Sequence, residues 1–155
     1  MPMNIQRSVP SEITELEAAY KKAFESNVFP EYMIEDAGDD EPDLSPAISI
    51  SRDDLITLTI YEDGRIIGGA ILDCTGNDKN KLERLFISPE YQNCGLGTSA
   101  WQKIEQDYSD NHGWTLRTPT CLMNNICFYV NKCGFHIVRV EDIGSDGIGM
   151  FVFEK

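Results

Sequence analysis

The segment from Pro89 to Thr98, Pro-Glu-Tyr-Gln-Asn-Cys-Gly-Leu-Gly-Thr, joins an apolar strand pattern to a helical pattern. Successive backbone N–H groups at the start of a helix form a site for an anion, and the helix dipole strengthens it. Gly95 and Gly97 let the backbone approach the anion without a Cβ in the way. The segment therefore predicts a site for a phosphate-bearing ligand.

Other interpretations of this segment compete with each other. A Walker loop ends in Gly-Lys-Ser/Thr, which this segment lacks, so a nucleoside triphosphatase is disfavoured. Gly95-x-Gly97-x-x-Ala100 matches the relaxed dinucleotide fingerprint. However, Pro89 to Cys94 separate it from its strand, and the acid expected about 20 residues later is missing. A tight connection that binds nothing is the structural alternative.

The remaining pattern is Gln-x-x-Gly-x-Gly after a strand ending in Ser-Pro-Glu-Tyr. It resembles the pyrophosphate loop of the GNAT superfamily of N-acetyltransferases, and residues 82–105 resemble that family's strand–loop–helix unit without a gap. A second match, Asn125 to Phe135, is similar to the family's Asn…Phe-Tyr-x-Lys-x-Gly-Phe helix end. The resemblance covers roughly residues 50–140, and the N-terminal third fits it loosely.

The resemblance implies acetyl-CoA as co-substrate and no metal. In the family, the strand at 82–88 splays from the strand at 114–117, and pantetheine pairs with backbone groups in the gap, which the resemblance places at Phe86 and Ile87. The diphosphate is expected on the N–H groups of residues 93–98. The implied cofactor-binding residues are Phe86, Ile87, Gln92, Asn93, Cys94, Gly95, Leu96, Gly97, Thr98 and Asn125.

Two loop positions depart from the family pattern. Gln92 stands where Arg is commoner, so a charged phosphate contact is lost. Cys94 stands where a basic or small residue is frequent, which removes another contact. Both changes concern the affinity for the cofactor. Asn125 is similar to the family's cofactor-contacting Asn, although a helix cap is an alternative role for it that Asn124 could equally fill.

The implied reaction is direct attack of an amine on the acetyl thioester. A lysine-like amine has a pKa near 10.4, so deprotonation at pH 7 costs about 4.6 kcal/mol, which a base would reduce. Glu83 is the candidate base because it lies four residues before Ile87, and alternation along a strand predicts that the two share a face. A surface ion pair with Arg84 or Arg117 is the alternative role for Glu83.

The leaving thiolate needs a proton or a hydrogen bond. Tyr129 occupies the position where the family commonly has its phenol general acid, and a donor near pKa 10 suits a thiol near 8.5. Simple packing is the alternative for Tyr129. A backbone N–H near Ile87 is expected to meet the oxyanion.

A sheet with helices on both faces must position these groups. Periodicity predicts strands at 3–9, 55–61, 66–72, 82–88, 114–117, 135–140 and 148–153, and helices at 12–25, 97–109 and 125–133. Asp63-Gly64 predicts a hairpin turn. The expected fold class is α/β (α+β), a GNAT-like, mixed, mostly antiparallel and splayed sheet flanked by helices on both faces.

Composition limits the remaining possibilities. The 155 residues predict one domain, 1–155, and 41% apolar residues suffice for a core. A net charge of -13 argues against unspecific binding to nucleic acid and against docking on anionic lipid. No apolar run approaches the ~20 residues that span a bilayer, and the start lacks a signal-peptide pattern, so a cytoplasmic location is expected. Five cysteines without Cys-x-x-Cys disfavour a disulfide framework or a zinc site.

These patterns predict an N-acetyltransferase whose acceptor is a primary amine on a small molecule or an exposed peptide. The acidic stretch 35–43 and Asp53-Asp54 motivate the hypothesis of a cationic acceptor. The alternative is a non-catalytic acyl-CoA-binding sensor or regulatory module. The oligomeric state stays open, and a homodimer through the sheet is an arrangement that the family often uses.

Overall fold

The computed structural model describes residues 3–25, 44–76, 78–108, 113–145 and 147–155. The acidic stretch 35–43, which motivated the hypothesis of a cationic acceptor, lies outside the described residues. None of the helices in the described ranges has the length and apolar character needed to cross a membrane.

Seven strands and four helices make up the described structure. The strands are β1 (Met3–Arg7), β2 (Ile56–Glu62), β3 (Arg65–Asp73), β4 (Asn80–Ile87), β5 (Trp114–Pro119), β6 (His136–Glu141) and β7 (Met150–Glu154). The helices are α1 (Ile13–Glu25), α2 (Pro46–Ser49), α3 (Leu96–Asp107) and α4 (Met123–Cys127), which continues into a π-helical turn (Phe128–Lys132).

The strands form one sheet in the order β1-β2-β3-β4-β5-β7-β6. All neighbouring strands are antiparallel except β4 and β5, which are parallel. Asp63 and Gly64 both have positive φ, 52° and 77°, as a type I′ hairpin turn requires. The predicted mixed, mostly antiparallel sheet and its first hairpin are therefore confirmed.

Helices cover both faces of the sheet, as predicted. On one face, Trp101 and Ile104 of α3 are fully buried in the main core, where the Trp101 and Trp114 rings meet edge-on with centroids 5.0 Å apart. On the other face, Tyr20 of α1 meets Phe86 edge-on at 5.3 Å. β4 lies between these two layers, so its position is fixed from both sides.

Two local predictions differ from the structure. The helix predicted for 125–133 changes after Cys127 into a π turn, in which the Cys133 N–H donates to the Phe128 carbonyl at 3.2 Å. The second difference is the short helix α2 before the strand predicted at 55–61, which no pattern predicted; Pro46 starts it, where its missing N–H costs nothing. The Ser49 hydroxyl then ties α2 to Thr57 of β2 at 2.6 Å.

Candidate active site

β4 and β5 separate almost as soon as they meet. Only Asn80 with Trp114 and Lys81 with Thr115 are paired between them. Beyond these pairs β4 continues to Ile87, while β5 stays paired with β7 on its other side. The edge of β4 from Leu82 to Ile87 therefore faces a gap, where its backbone groups have no neighbouring strand to bind. This is the splay that the family resemblance implied.

The ladder between β3 and β4 determines which backbone groups face that gap. Ser88 N–H donates to the Ile67 carbonyl at 2.8 Å, and Phe86 lies opposite Gly69. Because alternate residues of an antiparallel pair exchange both hydrogen bonds, Phe86 binds β3, whereas Leu85 and Ile87 direct N–H and C=O into the gap. The expected backbone contact of Ile87 fits this ladder, but that of Phe86 does not.

Glu83 is the extra residue of a β-bulge in β4. Leu72 lies opposite Leu82 and Ile71 lies opposite Arg84, so Glu83 has no partner on β3. The bulge breaks the alternation of side chains. Leu82 and Leu85, three residues apart, consequently both pack toward α3. The expectation that Glu83 shares a face with Ile87 is therefore wrong.

Glu83 instead lines a cavity of about 690 Å³ on the face of the sheet opposite α3. The cavity spans the four strands β4, β5, β7 and β6, and ten of its side chains are charged: Asp78, Lys79, Lys81, Glu83, Arg84, Arg117, Arg139, Glu141, Asp142 and Glu154. An open cavity with both signs of charge can accommodate a polar molecule beside the gap.

Ion pairs use several of these charges but not that of Glu83. Arg117 pairs with Asp142 at 2.6 Å and with Glu141 at 3.5 Å. Arg84 donates to the backbone carbonyl of Glu83 at 2.7 Å. Within the described residues, the Glu83 carboxylate forms no ion pair, so the predicted alternative, a pair with Arg84 or Arg117, is not what the structure shows.

The glycine loop leads directly into α3. Asn93 and Gly95 have φ of 62° and 80°, a conformation that Asn tolerates and Gly adopts freely. The Ser99 N–H makes the first intrahelical bond, to the Gly95 carbonyl at 3.1 Å. The preceding N–H groups of the helix, those of Leu96, Gly97 and Thr98, have no intrahelical acceptor and are available to an anion.

The side chains at the head of the loop bind the protein's own backbone. Gln92 Nε2 donates to the Ile87 carbonyl at 2.8 Å, and the Cys94 thiol donates to the Gln92 carbonyl at 3.3 Å. Cys94 is exposed, and Gln92 is half-buried. The loop is therefore held to the end of β4.

The second motif packs against the first. A Cβ built on Gly97 would lie 3.3 Å from the Phe128 ring and 3.9 Å from Ile87 Cγ1, so glycine allows this close approach. Asn125 lies half-buried inside α4. Because Leu122 is the N-cap of α4, neither Asn125 nor Asn124 serves as its cap.

Tyr129 lies in the π turn, a helix distortion that is frequent at functional sites. Its ring packs edge-on against Phe128 at 5.2 Å and Phe135 at 6.0 Å. Burial raises the pKa of the Tyr129 phenol above its ordinary value, the Cys133 thiol raises this pKa further, and the Arg84 guanidinium lowers it. Within the described residues, its hydroxyl makes no hydrogen bond, and it remains free to donate to a ligand.

Two residues that line or face the gap were not predicted from the sequence. Leu85 offers backbone groups to the gap, and its spacing of two from Ile87 could have indicated this, since every second residue of a strand edge points the same way. Arg84 lines the cavity and acts on the Tyr129 phenol across the gap. No local pattern identifies Arg84, because its direction depends on the bulge.

Solved structures of other proteins share this fold. The PaiA N-acetyltransferase of Thermoplasma acidophilum, solved in complex with coenzyme A, matches with a TM-score of 0.68 at 19% identity over 100% of both chains. The ribosomal-protein-S18-alanine N-acetyltransferase of Escherichia coli matches with a TM-score of 0.67 at 14% identity over 99% of this chain and 92% of that one. These likenesses establish the fold.

Sequence comparison identifies the family. The uncharacterised protein YrkN of Bacillus subtilis is 46% identical over 81 residues, which is 52% of this chain and only 44% of YrkN, so the match spans less than half the length of that relative. The sequence model of the acetyltransferase (GNAT) family matches residues 13–135. That match covers most of the chain, and the splayed sheet and the glycine loop agree with it. This protein therefore belongs to the GNAT family of acetyltransferases.

Proposed function

We propose that this protein, as one domain over residues 1–155, transfers an acetyl group from acetyl-CoA to a primary amine by direct attack in a ternary complex. The observation that carries the proposal is the open edge of β4, which ends beside the unpaired N–H groups at the start of α3. An extended ligand with an anion at one end and amides along its arm fits both features at once. The solved PaiA relative of the same fold holds coenzyme A.

Different parts of the cofactor bind the glycine loop and the open edge of β4. Its diphosphate binds the N–H groups of residues 93–98, where Asn93 and Gly95 turn the chain. Its pantetheine arm pairs with Leu85 and Ile87 along the gap. The acetyl thioester then lies beyond Ile87 toward the bulge at Glu83, and the Leu85 N–H, near Ile87 on the same open edge, faces the oxyanion that forms during attack.

The acceptor enters from the charged cavity. Glu83 lines that cavity and its carboxylate forms no ion pair within the described part of the chain. It is therefore available to take a proton from an ammonium group, directly or through water, and so to reduce the cost of about 4.6 kcal/mol for a lysine-like amine at pH 7. The acceptor is a small molecule or a peptide.

Tyr129 assists the departure of the thiolate. The raised pKa keeps the phenol protonated at neutral pH, so it donates a hydrogen bond whenever the thiolate forms. Complete transfer of the proton to a thiolate of pKa near 8.5 is uphill by more than about 2 kcal/mol, since 1.5 units separate it from even an ordinary phenol. The Arg84 guanidinium counteracts part of this cost because it lowers the pKa of Tyr129.

Two measurements test the proposal. Acetyl-CoA at a hundred times its Kd should stabilise the protein by about 2.7 kcal/mol in thermal unfolding, with NADH as the control ligand. Thiol release should then follow when a panel of primary amines is added. Stabilisation by NADH alone would overturn the assignment of the cofactor. Stabilisation by acetyl-CoA without thiol release from any amine would favour the non-catalytic sensor instead.

A further inference from the structure

The carboxamide of Gln92 binds a carbonyl that faces the cofactor gap. Gln92 Nε2 lies 2.8 Å from the Ile87 carbonyl oxygen. Because Phe86 binds β3, that carbonyl belongs to the open edge of β4, where no strand is available to satisfy it. The Gln92 side chain therefore replaces the missing strand at this position.

The chain between the two residues is compact. After Ile87, the Tyr91 N–H donates to the Ser88 carbonyl at 2.9 Å, and the Gln92 N–H donates to the Pro89 carbonyl at 3.2 Å. This single 3₁₀ turn brings the Gln92 side chain back onto the end of β4. The next residue, Asn93, has a φ of 62° and begins the glycine loop. The Gln92 bond thus fixes the loop relative to the strand edge.

The bond also changes what the edge offers to a ligand. An unoccupied edge residue presents one donor and one acceptor. At Ile87 the acceptor is already used, so the N–H is the unsatisfied group. The ligand atom that matches Ile87 is then a hydrogen-bond acceptor, such as an amide carbonyl oxygen of the arm. An arm displaced along the strand, with an amide N–H at this position, would have to share the Ile87 carbonyl with Gln92 and would leave the Ile87 N–H without an acceptor.

We infer that Gln92 is a positioning residue that sets the register of the acyl donor along β4, rather than the diphosphate contact expected from the loop pattern. The inference rests on the proposed function. It acts through Ile87: the carboxamide binds the carbonyl, holds the loop, and leaves the N–H as the group that pairs with the arm of the acyl donor.

A comparison of two acyl donors distinguishes a positioning role of Gln92 from a role in binding the diphosphate. Gln92→Ala should lower kcat/KM about tenfold, the effect of one lost hydrogen bond, with acetyl-CoA and equally with S-acetylpantetheine, which has no diphosphate. A loss confined to acetyl-CoA, or none with either donor, would overturn the inference.

A pH profile provides a second signature. The carboxylate of Gln92→Glu has no proton to donate to the Ile87 carbonyl, but its protonated form has one. The variant should therefore regain kcat/KM relative to wild type as the pH is lowered from 8 to 5, and Gln92→Ala should not. Gln102→Glu on the exposed side of α3 is the matched control for the added charge, with an unchanged ratio expected. A flat ratio for Gln92→Glu contradicts the assigned role.

A measurement on the free protein separates this inference from the proposed function. Scalar coupling across the hydrogen bond from Gln92 Nε2 to the Ile87 carbonyl carbon should be detectable by NMR without any ligand. If wild type turns over neither donor while the coupling is present, the proposed acetyl transfer fails and the contact stands. If the coupling is missing, the positioning role fails even in an active enzyme.

Discussion

The two halves of the sheet differ in how they are covered. β1 to β4 lie between α1 on one face and α3 on the other, and Ile67, Ala70, Ile71 and Leu72 of β3 are all fully buried. β5 and β7 pack one face against the Trp101 core, and β6 beyond them is exposed, whereas the charged cavity lies on the other face. Ile137 and Val140 of β6 are 42% and 43% exposed. The covered half supplies a rigid edge, and the open half supplies access to it.

The proposed chemistry lies where the halves separate. Glu83 and Ile87 belong to the covered half, and Tyr129 lies across the gap beneath β7, where its ring contacts Phe153 at 5.9 Å. A stable edge strand without a partner is normally a liability for a protein. Here that edge is kept rigid from both faces and is left open to a ligand. Changes at the gap should therefore affect turnover, and changes in the covered half should affect stability.

The largest expected effect is on turnover, from Tyr129→Phe. Removal of the phenol proton should lower kcat about 10²- to 10⁴-fold while the free energy of unfolding changes little, because the hydroxyl makes no hydrogen bond within the described residues. Thiol-release kinetics and urea denaturation measure the two quantities. Tyr61→Phe on β2, far from the gap, is the control. An unchanged kcat would return Tyr129 to a packing role.

Glu83→Gln should lower kcat/KM about 10²-fold at pH 7, since the amine then loses its proton without help. The deficit should shrink as the pH approaches 9.5, because a growing fraction of a lysine-like amine is already neutral. A pH–rate profile of both proteins measures this, with Glu62→Gln as the control. A deficit that is independent of pH would show that Glu83 does not act as the base.

In the covered half, Gly68→Ala should destabilise the fold by about 1–3 kcal/mol, as overpacking does. A Cβ on Gly68 would overlap the Phe86 carbonyl oxygen, which is backbone and cannot move aside without disturbing β4. Urea denaturation is the measurement. Gly76→Ala, whose Cβ would have 3.7 Å to its nearest neighbour, is the matched control. Equal stability of the two variants would contradict the rigid packing of this half.

Cys133 should make stability depend on alkaline pH. Burial raises the pKa of its thiol to about 12, Lys155 lowers it and Glu105 raises it. The unfolded thiol loses its proton near pH 9, so the unfolded state binds fewer protons and stability falls as the pH rises from 8 to 10. Denaturation across this range should show a flatter dependence for Cys133→Ala than for wild type. The exposed Cys127→Ala should keep the wild-type slope.

The smallest effect is expected on the open half. Arg139 forms an exposed ion pair with Glu141 on β6, at 2.9 Å. Exposed pairs contribute little because water screens them. Arg139→Ala should therefore leave the urea midpoint unchanged within error. A clear loss of stability would mean that β6 is more firmly packed than its exposure indicates, and the contrast between the halves would weaken.

Much of the architecture follows from local patterns. Period-two runs identified every strand to within a few residues, and Asp63-Gly64 identified its hairpin because only particular residues tolerate positive φ. The glycine loop was also predictable from the sequence. Gly95, the N-cap of α3, has a φ of 80°, and a positive φ at one position favours glycine there whatever the rest of the fold. Such features depend on neighbours in the chain, so the sequence alone determines them.

The arrangement of the site could not be predicted from the short segments that contain its residues. The bulge at Glu83 results from pairing with β3, so alternation along β4 could not reveal which face Glu83 takes. The π turn at Tyr129 departs from a sequence that reads as continuous helix. The register of β3 decides that Leu85 and Ile87, not Phe86, face the gap. The bulge and the register both depend on pairing with β3, and no short stretch of sequence contains both partners.

The amino-acid sequence by itself therefore determined the elements, their order and the loop that would hold an anion, because these arise from residue propensities over a few positions. Only the tertiary structure decided how β4 is oriented, that its edge stays open, and that Gln92 holds Ile87. A strand has two edges and two faces, and which of them carries the chemistry depends on the neighbours that cover the others.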